Sequence, residues 1–291
     1  PVETNNAGGS IDNNAGDLSP DNYQGEVAEE DKYGGDLVYS YRVDPTLYPP
    51  KIASNGTWLI VACAADPLGR MQTDGSFEPF LAESFEEDPE ACTFTIHLRE
   101  GIKFHDGSDF NADALVWLFD EYVENGTAAN ICRPTSYEAT DEYTVVMHFA
   151  SYDNSWRETI SKVYPVSKQA FETYGEDYML TNVIGTGPFI QTEYELDDHM
   201  TFVRNEDYWI EGQPYLDSIT IVEINDNTTK VSALMNRETQ LLTVNTGSTV
   251  TQLQADSGLK DIYQLTAATS AYSWMTPHQV DGPFSDVLVR R

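Results

Sequence analysis

Two short stretches of the chain alternate polar and apolar side chains with a period of two: Thr93-Phe94-Thr95-Ile96-His97-Leu98 and Tyr143 to Phe149. That period puts the apolar set on one face, so both predict half-buried strands. Leu37-Val38-Tyr39, Thr201-Phe202-Val203 and Ile219 to Ile224 are compact β-branched or aromatic runs and predict further strands. Leu115, Leu118, Phe119 and Tyr122 fall at i, i+3, i+4 and i+7, which predicts a helix with a core-facing stripe. Asn111 stands where its N-cap belongs, and Asp113 falls in the first turn, where negative charge suits the helix dipole. A shorter helix is predicted from Ser167 to Tyr174 behind Pro165. Another follows Thr228 as cap, with Val231, Leu234 and Met235 facing inward. Trp58 to Ala65 is apolar throughout, so periodicity leaves helix and strand equally open.

Asp74-Gly75 and Asp106-Gly107 are tight-turn signals between extended segments. Asp44-Pro45 and Pro49-Pro50 bar a helix where they stand. Strands and helices mix without a steady βαβ rhythm, which predicts an α/β or α+β fold with a mixed sheet. Residues 1–34 differ from everything after them. They are rich in Asn, Gly, Asp, Glu and Ser and nearly empty of large apolar groups. Such a segment buries too little surface to offset chain entropy, and it is expected to be a disordered acidic tether.

Charge narrows the function. The 291 residues carry 16 Lys plus Arg against 48 Asp plus Glu, a net charge of −32. That balance excludes a phosphate-binding surface, so nucleic acid is not an expected partner. It also repels anionic membrane surfaces. The longest apolar run, Trp58 to Ala65, is far short of the roughly 20 residues a spanning helix needs. The chain begins at Pro1 with no basic, apolar leader, so a processed chain or a fragment is expected. Hydrophobic residues at 40% and aromatics at 12% suffice for a core.

Catalytic and cofactor motifs are missing. G-x-S-x-G does not occur. Gly185-Thr186-Gly187-Pro188 opens like a dinucleotide loop, but Ile190 holds the place of the third glycine and no Walker lysine follows. The five histidines lack ligand spacing, and His105 reads as a side chain tying down its turn. No enzyme, no cofactor and no metal are expected. The three cysteines, Cys63, Cys92 and Cys132, form no CxxC; one disulfide with a spare thiol and three thiols both remain open. Three Asn-x-Thr sequons begin at Asn55, Asn125 and Asn227. Trp58, Trp156, Trp209, Tyr272 and Trp274 suit a core, and an aromatic cluster also suits peptides or sugars.

Three stretches together resemble the family-5 extracellular solute-binding proteins of ABC importers, the oligopeptide- and dipeptide-binding group. The first is Pro79-Phe80-Leu81-Ala82-Glu83-Ser84-Phe85 followed by Thr93 to Gly107, similar to the pattern P-x-L-A-E-S-W … T-F-x-L-R-x-G-V-K-F-H-D-G. The second is Gly185-Thr186-Gly187-Pro188-Phe189, then Arg204-Asn205-Glu206-Asp207-Tyr208-Trp209 and Pro214-Tyr215-Leu216-Asp217. The third is Pro283-Phe284-Ser285-Asp286-Val287-Leu288-Val289-Arg290. Two positions depart from the family. Tyr48 replaces the Asp of L-D-P, and Asn236-Arg237-Glu238-Thr239 stands for the usual S-G-E-V-D, losing a turn glycine.

The resemblance implies a type II periplasmic-binding-protein-like fold, with two lobes about a cleft and an extra inserted domain. It assigns 35–57 plus 183–285 to the sheet-bearing domain of the first lobe and 58–182 to the insert. Residues 286–291 would open a second lobe that is missing here. It implies capture of short peptides by cleft closure, delivery to ABC permease subunits, and a monomer outside the cytoplasm, periplasmic or held by a lipid anchor upstream of Pro1. Oligosaccharide, nickel chelate and haem are alternative ligands within the fold; a peptide-sensing receptor or adhesin is the alternative of another class. By similarity, the ligand-facing positions are Ala53, Ser54 and Asn55, whose backbone would pair with an extended peptide, together with Asn245, Tyr272 and Trp274. Trp274 is equally open to a core role.

Overall fold

The computed structural model describes residues 32–42, 46–52, 57–72, 74–152, 155–243 and 247–255. The chain divides into two units, Pro1–Thr243 and Val244–Arg291. In chain order the first unit contains β1 (Asp36–Ser40), α1 (Thr57–Ala64), β2 (Gly69–Met71), β3 (Phe77–Pro79), β4 (Ala82–Asp88), β5 (Thr93–Leu98) and α2 (Ala112–Glu124). There follow β6 (Ser136–Asp141), β7 (Thr144–His148), α3 (Trp156–Ile160), α4 (Lys168–Tyr174), α5 (Glu176–Met179), β8 (Phe189–Glu195), β9 (His199–Arg204), β10 (Ser218–Val222), α6 (Asn227–Met235) and β11 (Leu241–Leu242). The described part of the second unit is α7 (Gly247–Ala255).

A five-stranded sheet runs in the order β11-β1-β10-β9-β8. β1 is parallel to both β10 and β11, while β9 is antiparallel to β10 and β8, so the sheet is mixed as expected. A four-stranded antiparallel sheet, β4-β5-β7-β6, is built from residues that lie between β1 and β8 in sequence. β2 and β3 pair as a hairpin around Gly75 (φ 84°), the turn that Asp74-Gly75 predicted.

The alternation along β5 is real: Phe94, Ile96 and Leu98 are buried while Thr93, Thr95 and His97 are half-buried. On the neighbouring β7, Val145 and Met147 point to the same core. α2 packs across β6 and β7 and begins where expected, with the Asn111 side chain accepting from the Ala114 N–H at 3.0 Å. Leu115, Leu118, Phe119 and Tyr122 are all fully buried. Each such side chain contributes about 1.5–3 kcal/mol of burial. The apolar run from Trp58 resolves as α1, which sets Ile60, Val61 and Ala64 against β8 and leaves Leu59 53% exposed.

Two readings need correction. Pro49-Pro50 excludes an α-helix but not a 3-10 turn, which spans Pro49–Lys51 because prolines fit the first positions, where no N–H is needed. α6 is capped by Asp226, not Thr228: the Asp226 carboxylate accepts from the Thr229 N–H at 2.8 Å. Its inner face is Lys230, Val231, Ala233 and Leu234, and Met235 turns outward. The three cysteines are half-buried thiols with no disulfide among them.

Candidate functional site

All six expected ligand-facing residues, Ala53, Ser54, Asn55, Asn245, Tyr272 and Trp274, lie outside the described residues. What is described is the framework that flanks the first four of them in sequence. The stretch ahead of Ala53 is tied down at almost every residue. The Leu47 N–H donates to the Leu180 carbonyl at 2.8 Å, and the Thr127 hydroxyl donates to the Pro50 carbonyl at 2.8 Å. Tyr48 is fully buried, stacked on Phe171, and its hydroxyl donates to the Glu121 carboxylate at 2.7 Å. Burial pushes the Glu121 carboxyl above its usual range, against the pull of the Tyr48 hydrogen bond. Lys51 pairs with Glu176. Tyr48, standing where the family has Asp, is therefore an anchor rather than a gap in the pattern. On the far side of 53–56, Trp58 at the start of α1 stacks on Tyr164.

The three parallel strands bring their carboxyl ends to one edge, at Ser40, Val222 and Leu242. The Tyr41 N–H extends the ladder to the Val222 carbonyl at 3.0 Å, and Gln240 grips Val38 through main chain and side chain. In open α/β sheets this is the edge beyond which ligands gather. Tyr39 and Tyr41 stand there with ring centres 5.4 Å apart. Burial, then the neighbouring Tyr41, pushes the Tyr39 hydroxyl up to about 12. β11 ends three residues before Asn245 in sequence.

Just past the end of α1, a polar junction joins Asp66 to the chain that follows β9, and sequence reasoning did not single it out. Asp66 is 1% exposed. It accepts from the Trp209 indole N–H at 2.9 Å and the Tyr208 hydroxyl at 3.1 Å; Arg70 lies 3.4 Å away. Burial pushes its carboxyl up to about 6, opposed by those donors. Gly185-Thr186-Gly187 closes over the end of α1. The Gly187 N–H donates to the Ala64 carbonyl at 3.0 Å, and the Gly187 carbonyl accepts from Asn205 at 3.1 Å and lies 3.0 Å from His105 Nε2. His105 thus ties its turn to this loop, and burial lowers its pKa. The signal available in the sequence was a lone carboxylate directly after eight apolar residues. Among the described residues, no group of three or more His, Cys, Asp or Glu could hold a metal ion.

The model of the bacterial extracellular solute-binding proteins, family 5 (middle), matches residues 76–291. The chain belongs to family 5 of the bacterial extracellular solute-binding proteins. Among its family 5 relatives, the glutathione-binding protein GsiB of Salmonella typhi is 30% identical over 178 residues, covering 58% of this chain and 34% of that protein. The nickel-binding periplasmic protein of Escherichia coli K12 is 28% identical over 212 residues, covering 70% and 39%. The fold matches the periplasmic binding protein DppA of Helicobacter pylori, solved with the peptide STSA, with a TM-score of 0.69 at 22% identity, covering 79% of this chain and 50% of that one. This chain therefore has a type II periplasmic-binding-protein fold and spans between a third and a half of the length of these proteins. No helix among the described residues is long and apolar enough to cross a membrane.

Proposed function

We propose that this chain forms the first-lobe part of an extracytoplasmic protein that captures short peptides by cleft closure and passes them to the permease subunits of an ABC importer. The observation that carries the reading is the edge where β1, β10 and β11 end together, with the tightly anchored 46–52 stretch following β1 in sequence. A rigid shelf of this kind suits an extended peptide paired through its backbone with Ala53, Ser54 and Asn55. Asn245, Tyr272 and Trp274 are proposed to meet the same ligand. The mechanism is binding and hinge closure, with no bond chemistry. The acidic tether is proposed to lead from a lipid anchor, and the protein to act as a monomer. The division into 35–57 plus 183–285 and an insert of 58–182 is supported by the two sheets, which draw their strands from these separate stretches.

Thermal unfolding of the whole protein with a pool of two- to six-residue peptides tests this. A ligand at 100 times its dissociation constant adds about 2.7 kcal/mol if it binds only the folded state. A rise in Tm with peptides, absent with oligosaccharides, nickel–histidine or haem, is expected. The similarity to a nickel-binding protein supports a metal chelate as the second reading, and a rise with nickel–histidine alone would replace the first.

A further inference from the structure

Cys92 and Cys132 are 40 residues apart in sequence, yet the four-stranded sheet brings both to the same end of β7. The Cys92 carbonyl accepts from the Phe149 N–H at 2.9 Å on one side of that strand. On the other side the Thr135 N–H donates to the His148 carbonyl at 2.7 Å, and the chain just before it turns through Cys132 and Arg133. The two cysteines line one cavity of about 20 Å³, together with Phe94, Phe149 and Trp156. That is room for about one water, too little for a peptide or a cofactor. Trp156 is 5% exposed, and its indole N–H has no hydrogen-bond partner.

Both cysteines hold left-handed backbone, with φ of 53° and 63°. Glycine or asparagine serves such turns better, so local turn chemistry does not explain a cysteine at either place. We propose that Cys92 and Cys132 are a redox-active pair that closes to a reversible disulfide across this cavity. The inference rests on the geometry of the pair and is independent of which ligand the protein captures.

The oxidant is a low-molecular-weight disulfide. One cysteine thiolate attacks it, forming a mixed disulfide and releasing one small thiolate. The second cysteine thiolate then attacks the protein-bound sulfur and releases the other. In sum, two protein thiols lose two electrons and two protons, and one small disulfide becomes two small thiols. The bond costs the Cys92 thiol its contact with the Pro89 carbonyl at 3.6 Å. It closes a loop that contains β5 and α2, and an extracytoplasmic compartment would keep it closed. Cys63 provides the internal control. It lies on α1 away from the cavity, and burial pushes its thiol up to about 12.

The test treats the full chain with oxidised glutathione, then counts thiols in denaturant and maps the linked peptides by mass spectrometry. The expected result is a fall from three thiols to one, with Cys63 still reduced and the Cys92 and Cys132 peptides joined. Tm should rise on the order of 10 °C and fall back on reduction. Cys63→Ser should behave as the parent, and Cys92→Ser should lose the Tm rise. Three remaining thiols, glutathione adducts that never resolve into a cross-link, or a bridge through Cys63 would each overturn the proposal. The peptide map needs no variant, so a poorly folding mutant does not cloud it.

Discussion

Gly187 sits so close to Ala64 that a Cβ on the glycine would stand 2.5 Å from the Ala64 carbonyl carbon. At Gly185 the added carbon would be 2.3 Å from the Ala64 carbonyl oxygen. The neighbours are backbone, which cannot swing aside, so the loop needs glycine for space rather than for torsion. Gly187→Ala should cost about 3 kcal/mol, at the upper end of overpacking effects, because α1 and the loop must separate. Urea unfolding of the variant measures it; an unchanged midpoint would refute the close approach.

Tyr48→Phe keeps the buried ring and its stacking on Phe171 but removes the donor to Glu121. A buried carboxylate that loses its donor should cost about 1–3 kcal/mol. Tyr48→Asp, which restores the family residue, should be worse, since it sets a second acid against Glu121. Comparing the two unfolding midpoints ranks them.

Asp66 titrates near 6 in the fold against an ordinary 3.8. A folded pKa raised above the unfolded one means that the folded state holds the proton more tightly. The associated stability is full below about pH 4 and is lost as pH rises through about 6. The loss amounts to about 3 kcal/mol at most. Other carboxylates titrate over the same range with either sign, Glu121 raised by burial and Asp74 and Asp226 lowered by their hydrogen bonds, so the measurable quantity is the stability of the parent minus that of Asp66→Asn. That difference should fall between pH 4 and 6.5 and stay flat above it. A flat difference throughout would mean that Asp66 is ionised in the fold across the whole range.

The elements legible in the sequence are those whose information is local. The Asp74-Gly75 turn needs only one residue able to take positive φ, and α2 needs a cap and a stripe within 12 residues. β4 was hidden because it is an edge strand in which Glu83, Ser84, Glu86 and Asp88 face solvent, so no apolar alternation survives. α1 was ambiguous because it is apolar on every side, Leu59 included. The Asp66 junction was hidden for another reason. Its donors, Tyr208 and Trp209, lie more than 140 residues away in the chain, and no local pattern announces that meeting. The expected ligand-facing residues came from family resemblance rather than local pattern, and they fall outside the described residues.

Arg237 shows how the fold survives a lost glycine. It holds φ at 63° just past α6, where the family has Gly. The Glu238 N–H donates to the Ala233 carbonyl at 2.8 Å and the Arg237 N–H to the Leu234 carbonyl at 3.0 Å, the paired bonds of a Schellman end. Arg237→Gly relieves the left-handed strain and should stabilise the fold by about 1 kcal/mol. A small upward shift in Tm checks it; a drop would show that the arginine side chain contributes more than its backbone costs.

A net charge of −32 makes the folded chain repel itself. Raising salt from 0.1 to 1 M shortens the screening length from about 10 to about 3 Å. Tm should therefore climb steadily with sodium chloride over that range, and chloride salts of different monovalent cations should act alike. A Tm insensitive to salt would mean that ion pairs already balance the acidic surface.

β1 pairs along its whole length with β10, whose partner residues come about 180 positions later in the chain. During synthesis, β1 therefore emerges from the ribosome long before its neighbour exists. The β4-β5-β7-β6 sheet needs only residues 82–148 and can assemble first, because its strands close far shorter loops. The first strand made is thus among the last to find its place. Until residue 222 is translated, its backbone stands as an open edge, exposed to mispairing or in need of a chaperone.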